Sequence, residues 1–331
     1  MASPLQRTRP RLHVVTGKGG TGKTTVAAAL ALHLATGGRR VLLIEVEGRQ
    51  GIASLFDVPQ LPYEERKVAL ARDGGDVFAL AIDPEDALYE YLAMYYRLGL
   101  AGKALRKFGV VEFATTVAPG VRDVLLTGKA YEAVRRRNGQ QFEYDAVVVD
   151  APPTGRVGRF LNVNTEVAGV AKVGPIKRQS DAIMALLRSP RTAVHVVTLL
   201  EEMPVQETVD AVAELDQLQL PVGALVVNQT RRPVLDDAQL ASVRDHALDP
   251  SIIKAGLEVV GLASHSHLVG ALTHEAETHA ERVDLQARER DRLLALDRPM
   301  VELPWVPEGI DLAGLYALAD GLGDPGVGGL W

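Results

Sequence analysis

Cysteine is absent from the 331 residues. That absence removes disulfides, thiolate zinc sites, iron–sulfur clusters and soft-metalloid sites together. A long apolar run is also missing. The stretch Ala27 to Ala35 carries His33 and falls short of the ~18–20 residues of a membrane span, so no integral membrane segment is expected. Met1 to Arg11 holds Arg7, Arg9 and Arg11 but no apolar core of a secretory signal, and a cytoplasmic location is the expectation. An excess of positive charge is lacking too, with a net charge of −6 and a pI near 5.8. The basic concentrations Arg135-Arg136-Arg137 and Lys103, Arg106, Lys107 read as solvated helix faces or helix C-termini. No nucleic-acid partner is expected, because such a footprint shows as a basic domain or stripe.

What is present reads as an α/β protein. Hydrophobic residues at 47% and charged residues at 24% are ordinary globular values. A chain of this length is expected to form one large domain, 1–331, with an elaboration. Strand patterns lie at Arg11–Thr16, Arg40–Val46, Val77–Ile82, Asp145–Asp150, Ala193–Leu199, Val222–Asn228 and Met300–Leu303. Most are near-continuous apolar runs, as in strands covered by helices on both faces. Their alternation with helical segments predicts a doubly wound, mostly parallel sheet. No convincing strand appears across 83–143, where helical signals run through Pro84–Leu98 and Pro119–Arg137, and Arg156–Leu187 is a second helical stretch. These intervals, 83–143 and 156–190, predict a helical subdomain inserted on one sheet edge. The Gly-rich end, 321–331, reads as a flexible tail.

The clearest motif follows the first strand: Gly17-Lys18-Gly19-Gly20-Thr21-Gly22-Lys23-Thr24-Thr25, then the helical run Val26–Thr36. It satisfies G-x-x-x-x-G-K-[ST] in a strand–loop–helix setting. Glycines let backbone N–H groups point at phosphate oxygens without a Cβ in the way, and the helix N-terminus adds partial positive charge there. Lys23 is then placed for the β- and γ-phosphates and the Thr24 hydroxyl for Mg²⁺. ATP and Mg²⁺ are therefore the expected ligands, in a P-loop NTPase fold. A second motif ends the strand Asp145–Asp150 in an acid and continues Ala151-Pro152-Pro153-Thr154-Gly155. Asp150 falls at the carboxyl end of a parallel strand, where ligands bind in such sheets, placed to hold a Mg²⁺-bound water. The Pro-Pro-Thr-Gly turn, stiff up to Thr154 and free at Gly155, suits a γ-phosphate sensor.

On these residues the chain resembles the arsenical-pump-driving and tail-anchored-protein-targeting ATPases, the ArsA-like family with the deviant Walker A loop. The resemblance extends through Ile82-Asp83-Pro84-Glu85 and Ala87, Glu207-Thr208, Val226-Val227-Asn228-Gln229, Leu303-Pro304 and Val306-Pro307-Glu308-Gly309. It implies a sheet of seven or eight strands with a helical subdomain that binds clients or regulators. It also implies an ATPase that dimerises around nucleotide, as a homodimer or with a paralogous subunit, and takes a hydrophobic protein client. In that class Lys18 reaches across the dimer interface to the partner's phosphates, a cation supplied in trans. Asn228 corresponds to the adenine-binding Asn, and Pro307 lies in the loop near the base.

Two departures qualify the resemblance. The family's water-orienting switch I Asp is matched by Glu47 in Val46-Glu47-Gly48-Arg49-Gln50, one methylene longer. Water positioning is sensitive to ~1 Å errors, so either hydrolysis is slow or Glu47 works after local adjustment, and a catalytically weak subunit paired with an active paralogue is the alternative reading. The family's zinc-clasp and metalloid-binding cysteines are missing, so those two functions do not carry over. A non-hydrolysing module with ATP as structural glue is a further reading. A partition or septum-positioning ATPase is disfavoured by the acidic charge and the absence of an amphipathic C-terminal helix.

Two weaker patterns remain. His265, His267, His274 and His279 match no metal spacing and read as a polar, solvated helix start. Tyr89, Tyr91, Tyr95 and Tyr96, with Leu88, Leu92, Met94, Leu98 and Leu100, read as core of the helical subdomain, with a client groove as the alternative.

Overall fold

The computed structural model describes residues 9–83, 85–87, 90, 119–163, 175–323 and 331. The Tyr89–Leu100 stripe and most of the helical signal at Pro84–Leu98 lie outside them.

The apolar runs become strands β1 (Leu12–Gly17), β2 (Arg40–Glu45), β4 (Asp76–Ala81), β7 (Ala146–Asp150), β8 (Thr192–Thr198), β9 (Val222–Thr230) and β10 (Met300–Pro304). An eighth strand, β3 (Arg66–Leu70), completes the sheet in the order β10-β9-β8-β1-β7-β2-β4-β3. All neighbours are parallel except β3, which pairs antiparallel with β4 at the edge. The doubly wound, mostly parallel reading holds. β3 escaped sequence reading because it is short, half-exposed and opens on Arg66 and Lys67, unlike a strand covered on both faces. The interval 83–143 also contains a small hairpin of β5 (Arg137–Asn138) and β6 (Gln141–Phe142), where no strand was expected.

Side chains alternate across β1. Leu12 and Val14 join one core cluster and Val15 joins the other. On the Val15 side lies α1 (Lys23–Ala35), in which Val26 to Leu32, Leu34 and Ala35 are all buried. A helix apolar all round needs cover on every side. It packs on β1, β2, β4 and β7 and is capped by α10 (Leu312–Gly321). The opposite face carries α3 (Pro119–Arg135), α4 (Thr154–Leu161), α5 (Pro175–Leu187) and α6 (Glu202–Gln217). Helices α7 (Asp237–Arg244), α8 (Pro250–Val259) and α9 (Ser266–Leu294) close a smaller cluster around Leu240, Val243 and Ala280. A short helix, α2 (Gly51–Leu55), follows β2.

The basic run is divided by this fold. Arg135 ends α3, Arg136 pairs with Glu65, and Arg137 stacks over Phe142 at 4.3 Å. At the far end Leu322 is fully buried and the Trp331 indole, 4% exposed, donates to the Leu322 carbonyl at 2.8 Å. No helix among the described residues is long and apolar enough to cross a membrane.

Candidate nucleotide site

The carboxyl ends of β1, β2 and β7 meet at the loop 17–25, as a parallel sheet requires. Gly17 is forced by close approach: a Cβ there would stand 2.2 Å from the Val197 carbonyl oxygen of the neighbouring strand β8. Gly22, at φ 85°, takes the left-handed conformation at the N-cap of α1. It supplies no side-chain cap, so the first-turn amides face the loop's interior, the arrangement that receives anions. The loop folds around the Lys18 carbonyl, which accepts from Thr21 N at 3.3 Å, Thr21 Oγ1 at 2.9 Å and Lys23 Nζ at 3.5 Å. Gly19 and Gly20 lie in the loop and Thr25 in the first turn of α1.

Behind the loop sits a buried acid. Asp150 Oδ2 accepts from Thr24 Oγ1 at 2.7 Å, while Asp150 Oδ1 is buried with no hydrogen-bond partner. Burial pushes the Asp150 carboxyl up to about 6, against the opposing pull of Thr24 and Lys23. Burial also lowers Lys23, with the charges of Asp150 and Glu47 working the other way. An orphaned carboxylate oxygen beside a threonine hydroxyl is the donor set a hard cation takes, so Thr24 and Asp150 fit Mg²⁺. Sequence reading missed Glu45, 2% exposed, which pairs in register with Asp150 across β2 and β7. Its Oε2 accepts from Ile52 N at 3.2 Å and its Oε1 has no partner. A charge inside an otherwise apolar strand was the available signal.

Two groups of side-chain contacts flank this core. Glu47 is held by two arginines, Arg156 at 3.4 Å and Arg49 at 3.5 Å. Arg156 belongs to α4, which begins at Thr154, so the ion pair links the segment after β2 to the segment after β7. Lys18 Nζ lies 2.5 Å from Glu207 Oε1, and Glu207 Oε2 accepts from Thr154 Oγ1 at 3.0 Å. Lys18 is therefore bound within its own chain here, by a carboxylate that also holds the Thr154 turn. The Lys18 ammonium, first among its contacts, keeps the Glu207 carboxyl below its ordinary value. Glu207 stood out in the sequence only as half of a Glu-Thr pair. Thr16 Oγ1 donates to the Pro152 carbonyl at 2.7 Å, tying that turn to β1.

The expected base-side residues separate. Asn228 is buried and its Nδ2 donates to the Thr21 carbonyl at 2.9 Å, so it braces the phosphate loop from behind. A Cβ on Gly22 would meet that same amide at 2.4 Å, which explains the glycine a second way. Pro307 is exposed in the loop after β10, near Trp305, whose ring lies 3.8 Å under the Arg231 guanidinium. The histidines do not form a metal site. His265 caps α9 and stacks on His267, and His279 Nε2 accepts from Val234 N at 3.2 Å. No group of three or more metal-ligating side chains occurs among the described residues.

The chain is similar in sequence to known proteins. The model of the anion-transporting ATPase family matches residues 11–190. The ATPase BagA of Mycobacterium tuberculosis is 52% identical over 325 residues, covering 98% of this chain and 96% of that protein. An arsenical pump-driving ATPase of Acidiphilium multivorum is 25% identical over 340 residues, covering 94% of this chain and 54% of that protein. The ATPase get3 of Neurospora crassa is 28% identical over 214 residues, 64% of this chain and 60% of that protein.

Proposed function

We propose, from the premise that this chain belongs to the anion-transporting ATPase family, that it binds and hydrolyses Mg-ATP as a dimeric switch. The reading rests on the pairing of Thr24 with Asp150 at 2.7 Å beside an orphaned Asp150 Oδ1, at the mouth of a glycine loop. The α1 amides and Lys23 bind the β- and γ-phosphates. Mg²⁺, when bound by Thr24 and, through water, Asp150, neutralises charge on those phosphate oxygens. Glu47 orients a water against the γ-phosphorus. The bond from that phosphorus to the bridging oxygen breaks, leaving ADP and phosphate. Lys18 leaves Glu207 to reach the phosphates of a partner subunit, and Glu207, still bonded to Thr154 at the start of α4, is free to shift with it. The released α4 then carries the nucleotide state to helices that hold a client or regulator.

Calorimetry with ATP, with and without Mg²⁺, and a phosphate-release assay test this. Magnesium-dependent binding followed by turnover is expected. Failure to bind ATP removes the reading.

One observation favours a second reading, in which this chain is the weaker half of a pair with an active paralogue. Glu47 is pinned between Arg49 and Arg156, away from a free water-orienting pose. Turnover by the purified chain alone, undiminished against a reconstituted pair, rejects that reading.

A further inference from the structure

A cavity of about 540 Å³ opens between α3 and α5, on the sheet face opposite α1. That is the size of sites that take small organic molecules. One helical face of α3 forms a wall through Leu125, Gly128, Lys129, Glu132, Arg135 and Arg136, and α5 faces it with Arg178, Gln179 and Ala182. The two helices approach closely at Gly128, where a Cβ would stand 3.0 Å from Gln179 Nε2.

The charges are not balanced within the cavity. Its two carboxylates already face cations, and Glu132 reaches them only at ion-pair distance. Glu90 accepts from Lys129 Nζ at 2.9 and 3.1 Å and from the Tyr63 hydroxyl at 2.5 Å. Glu132 lies 3.8 Å from Lys129 and 3.6 Å from Arg136. Arg136 is paired with Glu65, which also accepts from Tyr144 at 2.7 Å. Arg135 and Arg178 have no carboxylate partner among the described residues. Arg135 lies 5.0 Å over the Tyr131 ring and donates to its hydroxyl. Glu132 Oε2, Gln179 Oε1 and Arg136 Nε are buried with no hydrogen-bond partner, a state that costs free energy unless something bonds to them. Between these polar groups lie the apolar surfaces of Ala87, Leu125 and Ala182.

We infer that this cavity binds a small organic anion, a carboxylate or phosphate monoester on a short apolar body. Its charged head lies between Arg135 and Arg178 and its body against Leu125 and Ala182. Planar guanidinium groups suit either head group. The site is separate from the phosphate loop and does not depend on the ATPase reading.

Isothermal calorimetry of the full chain with octanoate, octyl phosphate and octanol tests it. At least one anion binds and octanol binds more weakly; the tighter of the two anions identifies the head group. Arg135→Glu with Arg178→Glu, both exposed positions, weakens anion binding by about tenfold or more, the effect of losing a charge-assisted hydrogen bond. Ala182→Phe, which fills the cavity, removes anion binding while circular dichroism and ATP binding stay unchanged. The inference is overturned if neither anion binds, if octanol binds as tightly, or if the doubly reversed variant keeps full affinity.

Discussion

From Gly17 to Thr25 the chain is fixed by its own backbone; around it, at Lys18, Glu47, Thr154 and Glu207, side chains are fixed by one another. The Gly17 Cα lies against the Val197 carbonyl with no room for a Cβ, and Thr21 is bonded to both Lys18 and Asn228. Gly17 cannot shift without disturbing β8, and Thr21 cannot shift without breaking its bond to Asn228. The ion pairs Lys18–Glu207 and Glu47–Arg156 are partly exposed, with side-chain exposures of 30% and 35%, and of 16% and 59%. Exposed pairs contribute about 0–1 kcal/mol, less than a phosphate offers the same cation. On the proposed reading, the cradle is built before nucleotide arrives, and the proposed switches rest in contacts weak enough for nucleotide or a partner to outcompete.

This contrast is broken most severely at Lys23. Lys23→Ala leaves the cradle's backbone in place but removes the ammonium proposed to bind the β- and γ-phosphates. ATP affinity should fall about a hundredfold, on the order of 3 kcal/mol for a charge-assisted contact to phosphate, measured by calorimetry. Affinity within a factor of three of wild type means that the backbone alone binds the triphosphate.

Asp150 sharpens the comparison because its burial is part of the rigid half, yet its charge serves the ligand. Its folded-state carboxyl titrates at about 6, above the ordinary carboxylate value. Protonation in the folded state relieves the burial, so this contribution to stability is fully present below about pH 4 and is lost as pH rises through about 6. Asp150→Asn should therefore stabilise the nucleotide-free chain by about 1–2 kcal/mol at pH 7.5, flatten the stability profile between about pH 4 and 6, and remove magnesium-dependent turnover. Urea denaturation across that range measures the first two. An unchanged profile would show that Asp150 is not the titrating group.

The sheet was legible because its strands are unbroken apolar runs, and the cradle because its glycines and lysine are contiguous. What the sequence hid is of two kinds. Edge elements lack the buried pattern: β3 mixes Arg66 and Lys67 with Val68, and the β5–β6 hairpin has strands of only two exposed residues each. Side-chain partnerships across long separations leave no periodicity at all. Glu207 lies 189 positions from Lys18, and Asn228 braces Thr21 from 207 positions away. The resemblance that marked Asn228 as an adenine reader did not contain that contact.

A smaller effect is expected at Glu207. Glu207→Gln keeps the hydrogen bond from Thr154 but weakens the hold on Lys18. Its stability cost should stay under about 1 kcal/mol, while nucleotide-dependent dimerisation, followed by light scattering, becomes more favourable because Lys18 no longer leaves an ion pair. Lys18→Ala should keep ATP binding and lose dimer closure. Equal dimerisation in both variants removes the latch role.

The slightest structural change with a functional readout is Arg156→Ala. Arg156 is mostly exposed, so its removal should alter stability by no more than about 0.5 kcal/mol. It is nevertheless the link that holds Glu47 to α4. With it gone, Glu47 keeps only Arg49 and gains freedom to face a water at the phosphate mouth, and turnover should rise about threefold, a barrier change of roughly 0.6 kcal/mol. Glu47→Gln in the same background should cancel that gain, because the freed carboxylate is what produces it. If Arg156→Ala leaves the rate where it was, the pair is a surface contact without consequence. Any slowness of turnover would then be sought in the extra methylene of Glu47, which Glu47→Asp probes by the same rate assay.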